Sequence, residues 1–131
     1  MKIVSMIARY LLGVIFAFFG ANLLFPFLPN PPVPPGPVKE FMTVMGGTHY
    51  LYVVGFFQLV PGILLLINRY VPLALTILAA EIVNILTTHI LVIRAQLFPF
   101  PILVVILWLL VFWDTRSAFA GILRARVADG A

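Results

Sequence analysis

The sequence contains no cysteine, which excludes disulfides, thiol chemistry and thiolate-ligated metals. Charge is almost as scarce. Only 9% of the 131 residues are Asp, Glu, Lys or Arg, against about a quarter in a soluble globular domain. That is too little polar material to coat a water-facing surface. Four acidic residues leave the chain at +4, but its eight basic residues are scattered, with no aromatic–basic strip of the kind that reads nucleic acid. Nucleic acid is therefore excluded as a partner, and no constellation of side chains implies a catalytic activity of the chain's own. Two histidines without further ligand spacing do not make a metal site.

What the sequence has in abundance is oil, at 63% hydrophobic residues. Four apolar runs, at about 3–25, 50–67, 72–93 and 101–118, each approach the ~20 residues an α-helix needs to cross a hydrocarbon core. None alternates as a spanning strand would. The expected fold is all-α, a single domain over residues 1–131 forming a four-transmembrane-helix bundle in the lipid bilayer. The first run exceeds a signal-peptide core in length, and no small-x-small cleavage site follows it, so it is expected to be a span.

Lys2, Arg9, Arg69, Arg116, Arg124 and Arg126 share one side if both termini do, and only Lys39 and Arg94 fall on the other. The positive-inside rule then predicts cytoplasmic termini. Between the first two runs lies "FPFLPNPPVPPGP", with seven of the eleven prolines, an extended and stiff outer loop. Pro37 suits a helix start and Gly46-Gly47 a helix stop, so "VKEFMTVM" reads as a short interfacial helix. Pro61 falls inside the second run and removes the donor for the Phe57 carbonyl.

The segment "ILAAEIVNILTTH" breaks the pattern, because Glu81, Asn84, Thr87, Thr88 and His89 interrupt a membrane span. A carboxylate near mid-bilayer costs about 3 kcal/mol or more to insert, so it should be paired, protonated or facing a hydrated cavity. At 100° per residue, Asn84 and Thr88 lie within about 60° of Glu81, which puts all three on one stripe expected to face the bundle interior. Two partners are in reach. Arg9 sits about 9 Å and Glu81 about 13 Å from the inner end of their helices, and Gln58 is at comparable depth on the second helix. Arg9, Gln58, Glu81, Asn84, Thr88 and His89 thus form the candidate ligand-binding cluster. The competing reading of such residues is interhelical hydrogen bonding. On the first helix, Gly13, Ala17 and Ala21, with Gly20 beside them, make a small-residue packing face whose partner could lie in this chain or in another subunit.

The stretches "ARYLLGVIFAFFGANLL", "GFFQLVPGILLLINRY" and "LAAEIVNILTTHIL", with the proline-rich loop, resemble the DoxX-like family of small four-helix bacterial membrane proteins over roughly residues 5 to 95. The resemblance implies a bacterial inner-membrane location, association with redox systems and, for one subgroup, quinone as a cofactor or electron acceptor. Its polar positions fall here on Arg9, Gln58, Glu81 and His89. Family members often carry an acid where this chain has Gln58, so a two-carboxylate mechanism does not transfer. Three functions are open at this point: an accessory or scaffold subunit of a larger redox or energy-converting membrane complex, a self-sufficient quinone or small-molecule binder, and a small transporter or proton pathway. Against the last stands the lack of inverted-repeat halves.

Overall fold

A computed structural model describes residues 2–29, 32–93 and 100–126, and the described residues are helical with no strand. Helix α1 spans Lys2–Leu24, α2 Pro37–Gly47, α3 Tyr50–Leu66, α4 Val71–Thr87 and α5 Phe100–Thr115. A π-helical turn, Thr88–Ile93, continues α4, and a 3-10 segment, Arg116–Leu123, continues α5. Arg94, one of the two outer-side charges in the orientation argument, lies outside the described residues, as do Asn30 and Pro31 of the proline-rich loop.

Three of these helical stretches, Lys2–Leu24, Val71–Val92 and Phe100–Leu123, are long and apolar enough to cross a membrane. The short α3 qualifies only together with α2, from which it is bent by 82°. Alone, its 17 residues measure about 25 Å at 1.5 Å per residue, a little short of the ~30 Å hydrocarbon core. Apolar helices of this length are the mark of an integral membrane protein, and they account for the many large hydrophobic side chains on the outer faces, such as Phe18, Val53, Val83 and Leu109.

Helices α1, α3, α4 and α5 pack in a closed ring in that order. The core between them is built from Leu12 and Phe16 of α1, Leu65 of α3, Ala74, Leu75, Leu78 and Ile82 of α4, and Val104, Leu107 and Val111 of α5. Consecutive helices run antiparallel, so the start of α1, the α3–α4 turn and the end of α5 share one end of the bundle. That turn is tight, with Asn68 and Tyr70 both left-handed at φ 56° and 53°. The other end carries α2, which packs on α3 and on the π-helical turn. Pro37 does begin α2, at the position where its missing N–H costs nothing. Helix α3 continues through Pro61, which is buried.

The small-residue face of α1 packs within the chain, against α3. A Cβ built on Gly20 would lie 2.5 Å from the Leu59 backbone nitrogen and 2.8 Å from the Gly55 carbonyl oxygen. One built on Gly62 would lie 2.5 Å from the Ala17 nitrogen, and one on Gly13 would lie 3.0 Å from the Gly62 oxygen. Backbone meets backbone at both crossings, as small residues permit between membrane helices. The seam is formed by Gly13, Ala17 and Gly20. Ala21 is turned away from that line. Steps of four advance 40° each, so Ala21 has turned about 80° from Gly13, whereas Gly20, seven residues on, has turned only about 20° back.

Candidate functional site

Five of the six residues of the candidate cluster line one cleft. Gln58 comes from α3, Glu81 and Asn84 from α4, Thr88 and His89 from the π-helical turn. Phe41 and Met45 of α2 and Tyr50, Leu51 and Val54 of α3 supply its apolar walls. Its volume is about 260 Å³. Each polar position follows from local structure. Glu81, ten residues beyond Val71, stands about 15 Å along α4, near the middle of a ~30 Å core. Asn84 and Thr88 follow it one and two turns on. Gln58 is buried at 7% exposure, and its amide opens on the cleft opposite Glu81, as the polar neighbour of the carboxyl.

The stripe does not face the bundle interior, as its polarity suggested. The interior line of α4 is Ala74, Leu75, Leu78 and Ile82, all buried. Glu81 is half-buried beside that line and Asn84 is exposed, in the groove between α3 and α4 beneath α2. The physical reason is competition for the core. Four packed helices are filled by Leu and Ile, and a groove roofed by an interfacial helix offers polar groups an alternative to lipid without displacing those side chains.

Arg9 is the residue of the cluster that the fold places elsewhere. Its guanidinium donates to the Leu65 carbonyl and lies 4.4 Å from the Tyr10 ring centroid. Leu65 is seven residues, about 10 Å, down α3 from Gln58. The carbonyls of a helix's last turn lack intrahelical donors and carry the negative end of its dipole, which makes them a natural seat for a cation. Arg9 therefore closes the inner end of α3 and is not a partner of Glu81.

His89 is held in one orientation. Its Nδ1 lies 2.8 Å from the Ile85 carbonyl oxygen, which can only accept, so Nδ1 carries a proton and donates. In the neutral ring Nε2 is then a bare acceptor. The bond occurs where the α-helix gives way to the π-helical turn, a distortion often found at functional sites.

A second cavity, of about 220 Å³, lies between α1 and the same wall. It shares Gln58, Ile85 and His89 with the cleft and is otherwise lined mainly by apolar side chains, among them Phe16, Phe19 and Phe100. Phe19 and Phe100 meet edge to face at 5.4 Å, joining α1 to α5 at this level. Asn22 also borders it, but its Oδ1 is engaged by the backbone N–H groups of Phe27 and Leu28 at 3.1 and 3.0 Å, so it ties down the loop after α1. Among the described residues, no group of three or more His, Cys, Asp or Glu side chains could hold a metal. His49 is exposed at the start of α3 and stacks on Tyr52.

The sequence reading missed Gly55 and Gly62 as the partners of the α1 face. The signal was present: they are seven residues apart, as are Gly13 and Gly20. It also missed Phe41 and Tyr50 as walls of the cleft, since nothing local shows that α2 folds back over α4. No family model, curated protein or solved structure matches the chain.

Proposed function

We propose that this chain is a four-span integral membrane protein, both termini cytoplasmic, whose outer-half cleft binds a small amphipathic molecule drawn from the bilayer. The observation that carries the reading is the convergence of Gln58, Glu81, Asn84, Thr88 and His89, from three helical segments, on one cleft with apolar walls. Apolar walls with a few convergent polar groups are the general form of a small-molecule site. The α2–α3 pair supplies the fourth span, with α2 at the outer surface. The shared end of α1, the α3–α4 turn and α5 carries Lys2, Arg9, Arg69 and Arg116, which supports a cytoplasmic assignment for that end. The resemblance to DoxX-like proteins supports a bacterial inner-membrane setting and makes a quinone one candidate occupant.

An accessory or scaffold role in a larger redox complex is the second reading. Its support is weakened by the α1 small-residue face, which is occupied within the chain and no longer available to another subunit.

The test is extraction into lipid nanodiscs followed by mass spectrometry of bound small molecules, for the native chain and for Asn84→Leu. A monodisperse bundle whose co-purified molecule is lost in the variant is the expected result. Migration only with larger membrane partners, with no small molecule retained, would replace the proposal with the accessory reading. A reporter fused at Ala131 is expected to report the cytoplasm.

A further inference from the structure

The cleft and the inner cavity share one wall, and their chemistry differs on its two sides. The cleft side has a carboxyl group, Glu81, with the polar side chains of Asn84 and Thr88. Among the described residues no lysine or arginine lines it, since Arg9 is engaged at the inner end of α3. Two aromatic rings, Phe41 and Tyr50, line it as well. The inner side is dominated by Phe16, Phe19, Phe100 and aliphatic neighbours. At about 260 and 220 Å³, each space alone is below the ~300 Å³ at which small-molecule sites usually begin. Taken together they reach that range.

We infer that the two spaces form one site for a lipophilic amine: a protonated nitrogen in the cleft at Glu81, and an apolar body reaching past Gln58 and His89 into the inner cavity. The inference rests on the small-molecule reading above and specifies its ligand class. Charge decides the head. A carboxylate half-removed from water favours a cation and repels an anion, and a neutral head would leave the charge uncompensated. The aromatic walls act in the same direction, because an ammonium is attracted to ring faces within about 6 Å, more strongly when desolvated. His89, whose Nδ1 is engaged by the Ile85 carbonyl, and the Gln58 amide add polar groups at the junction that can bond to the head. The tail follows from the inner lining, which offers ring and aliphatic contacts with few polar demands. Entry from the bilayer is consistent with the exposed position of Asn84 at the mouth.

The experiment uses the full chain in nanodiscs and three probes of equal chain length: decylammonium, decanol and decanoate. Binding is measured calorimetrically against empty nanodiscs, with the native chain, Glu81→Gln and Phe16→Trp. The expected order is decylammonium over decanol by at least tenfold, with decanoate weakest. Glu81→Gln should abolish the preference for decylammonium, lowering its affinity at least tenfold relative to that of decanol. Phe16→Trp, which fills the inner cavity, should weaken decylammonium and decanol alike. Equal binding of all three probes, or a cation preference that survives Glu81→Gln, would overturn the amine assignment and leave the small-molecule reading standing. Unaltered binding in Phe16→Trp, in a chain that retains its helicity, would overturn the joined site. No binding of any probe above empty nanodiscs would overturn both the amine assignment and the cleft as an amphipath site.

Discussion

Replacing Gly20 with alanine adds one methyl group where the fold has no room for it. The new Cβ would stand 2.5 Å from the Leu59 nitrogen, 2.8 Å from the Gly55 oxygen and 2.9 Å from the Leu59 Cα, all backbone atoms that cannot swing aside. Ordinary contact begins near 3.4 Å, so α1 and α3 would have to part by roughly 0.9 Å locally. A gap of 0.5–1 Å forfeits about a quarter to a half of each atom pair's attraction, itself about 0.1–0.2 kcal/mol. Over the ~40–60 pairs made by one buried leucine, the loss is roughly 1–6 kcal/mol. Alanine's better helix propensity returns about 0.5–1 kcal/mol. With the middle of each range, about 3.5 less about 0.75 kcal/mol, the net expectation is a destabilisation of about 3 kcal/mol, read from reversible unfolding in mixed detergent micelles by far-ultraviolet circular dichroism. Gly46→Ala is the control, since a Cβ there meets nothing within 4 Å and the same propensity gain applies. It should be neutral or slightly stabilising. Gly62→Ala should resemble Gly20→Ala, and the double variant should cost less than the sum, because a seam already opened accepts a second methyl more cheaply. A Gly20→Ala chain within about 0.5 kcal/mol of native, the scale of an ordinary surface substitution, would refute the backbone-contact reasoning.

Two further substitutions test the contacts that close the ring. Trp108→Phe removes the indole N–H that donates to the Leu75 carbonyl at 2.9 Å, and should cost about 0.5–1.5 kcal/mol in the same unfolding assay, with ligand retention unchanged. Arg9→Met keeps the side-chain length but leaves the end of α3 without its cation. It should lower stability by about 1–2 kcal/mol, discounted for partial exposure, without altering what the cleft binds, whereas a lost ligand would place Arg9 back beside Glu81.

The helices were legible because lipid imposes a length and a composition on any segment that crosses it. Lys2–Leu24 and the Val71 stretch could be bounded to within a residue or two from apolar runs alone. The fate of single polar residues was less legible, because it depends on which neighbour supplies the competing bond. Arg9 could reach Glu81 by depth, yet the Leu65 carbonyl at the end of α3 takes its guanidinium instead. Likewise, a polar stripe signals only that the side chains avoid lipid. It does not distinguish a bundle interior from a groove roofed by α2, because the 82° bend that brings Phe41 and Met45 over α4 is set by the Thr48-His49 junction, with His49 left-handed at φ 60°.

The packing seam and the cleft are linked through register. Gly13 and Ala17 meet Gly62, and Gly20 meets Gly55 and Leu59, so Gln58 lies in sequence between the two crossings on α3. Gln58 is therefore flanked by the two closest approaches of α1 to α3, each of them backbone against backbone. Such contacts leave little freedom for sliding or rotation, because any shift drives peptide atoms into one another. A side chain between them has a fixed Cα and a fixed direction, and for Gln58 that direction is the wall between the cleft and the inner cavity. An amide on a mobile helix would have its backbone to order as well as its side chain, whereas here the backbone is positioned before any ligand arrives. Preorganisation of this kind is what lets a small polar cluster in a membrane discriminate between head groups. It follows that substitutions at Gly20 or Gly62, which lie outside the cleft lining, should weaken ligand binding in proportion to how far they part the helices. Larger residues at Gly46, on the face of α2 that meets open space, should not.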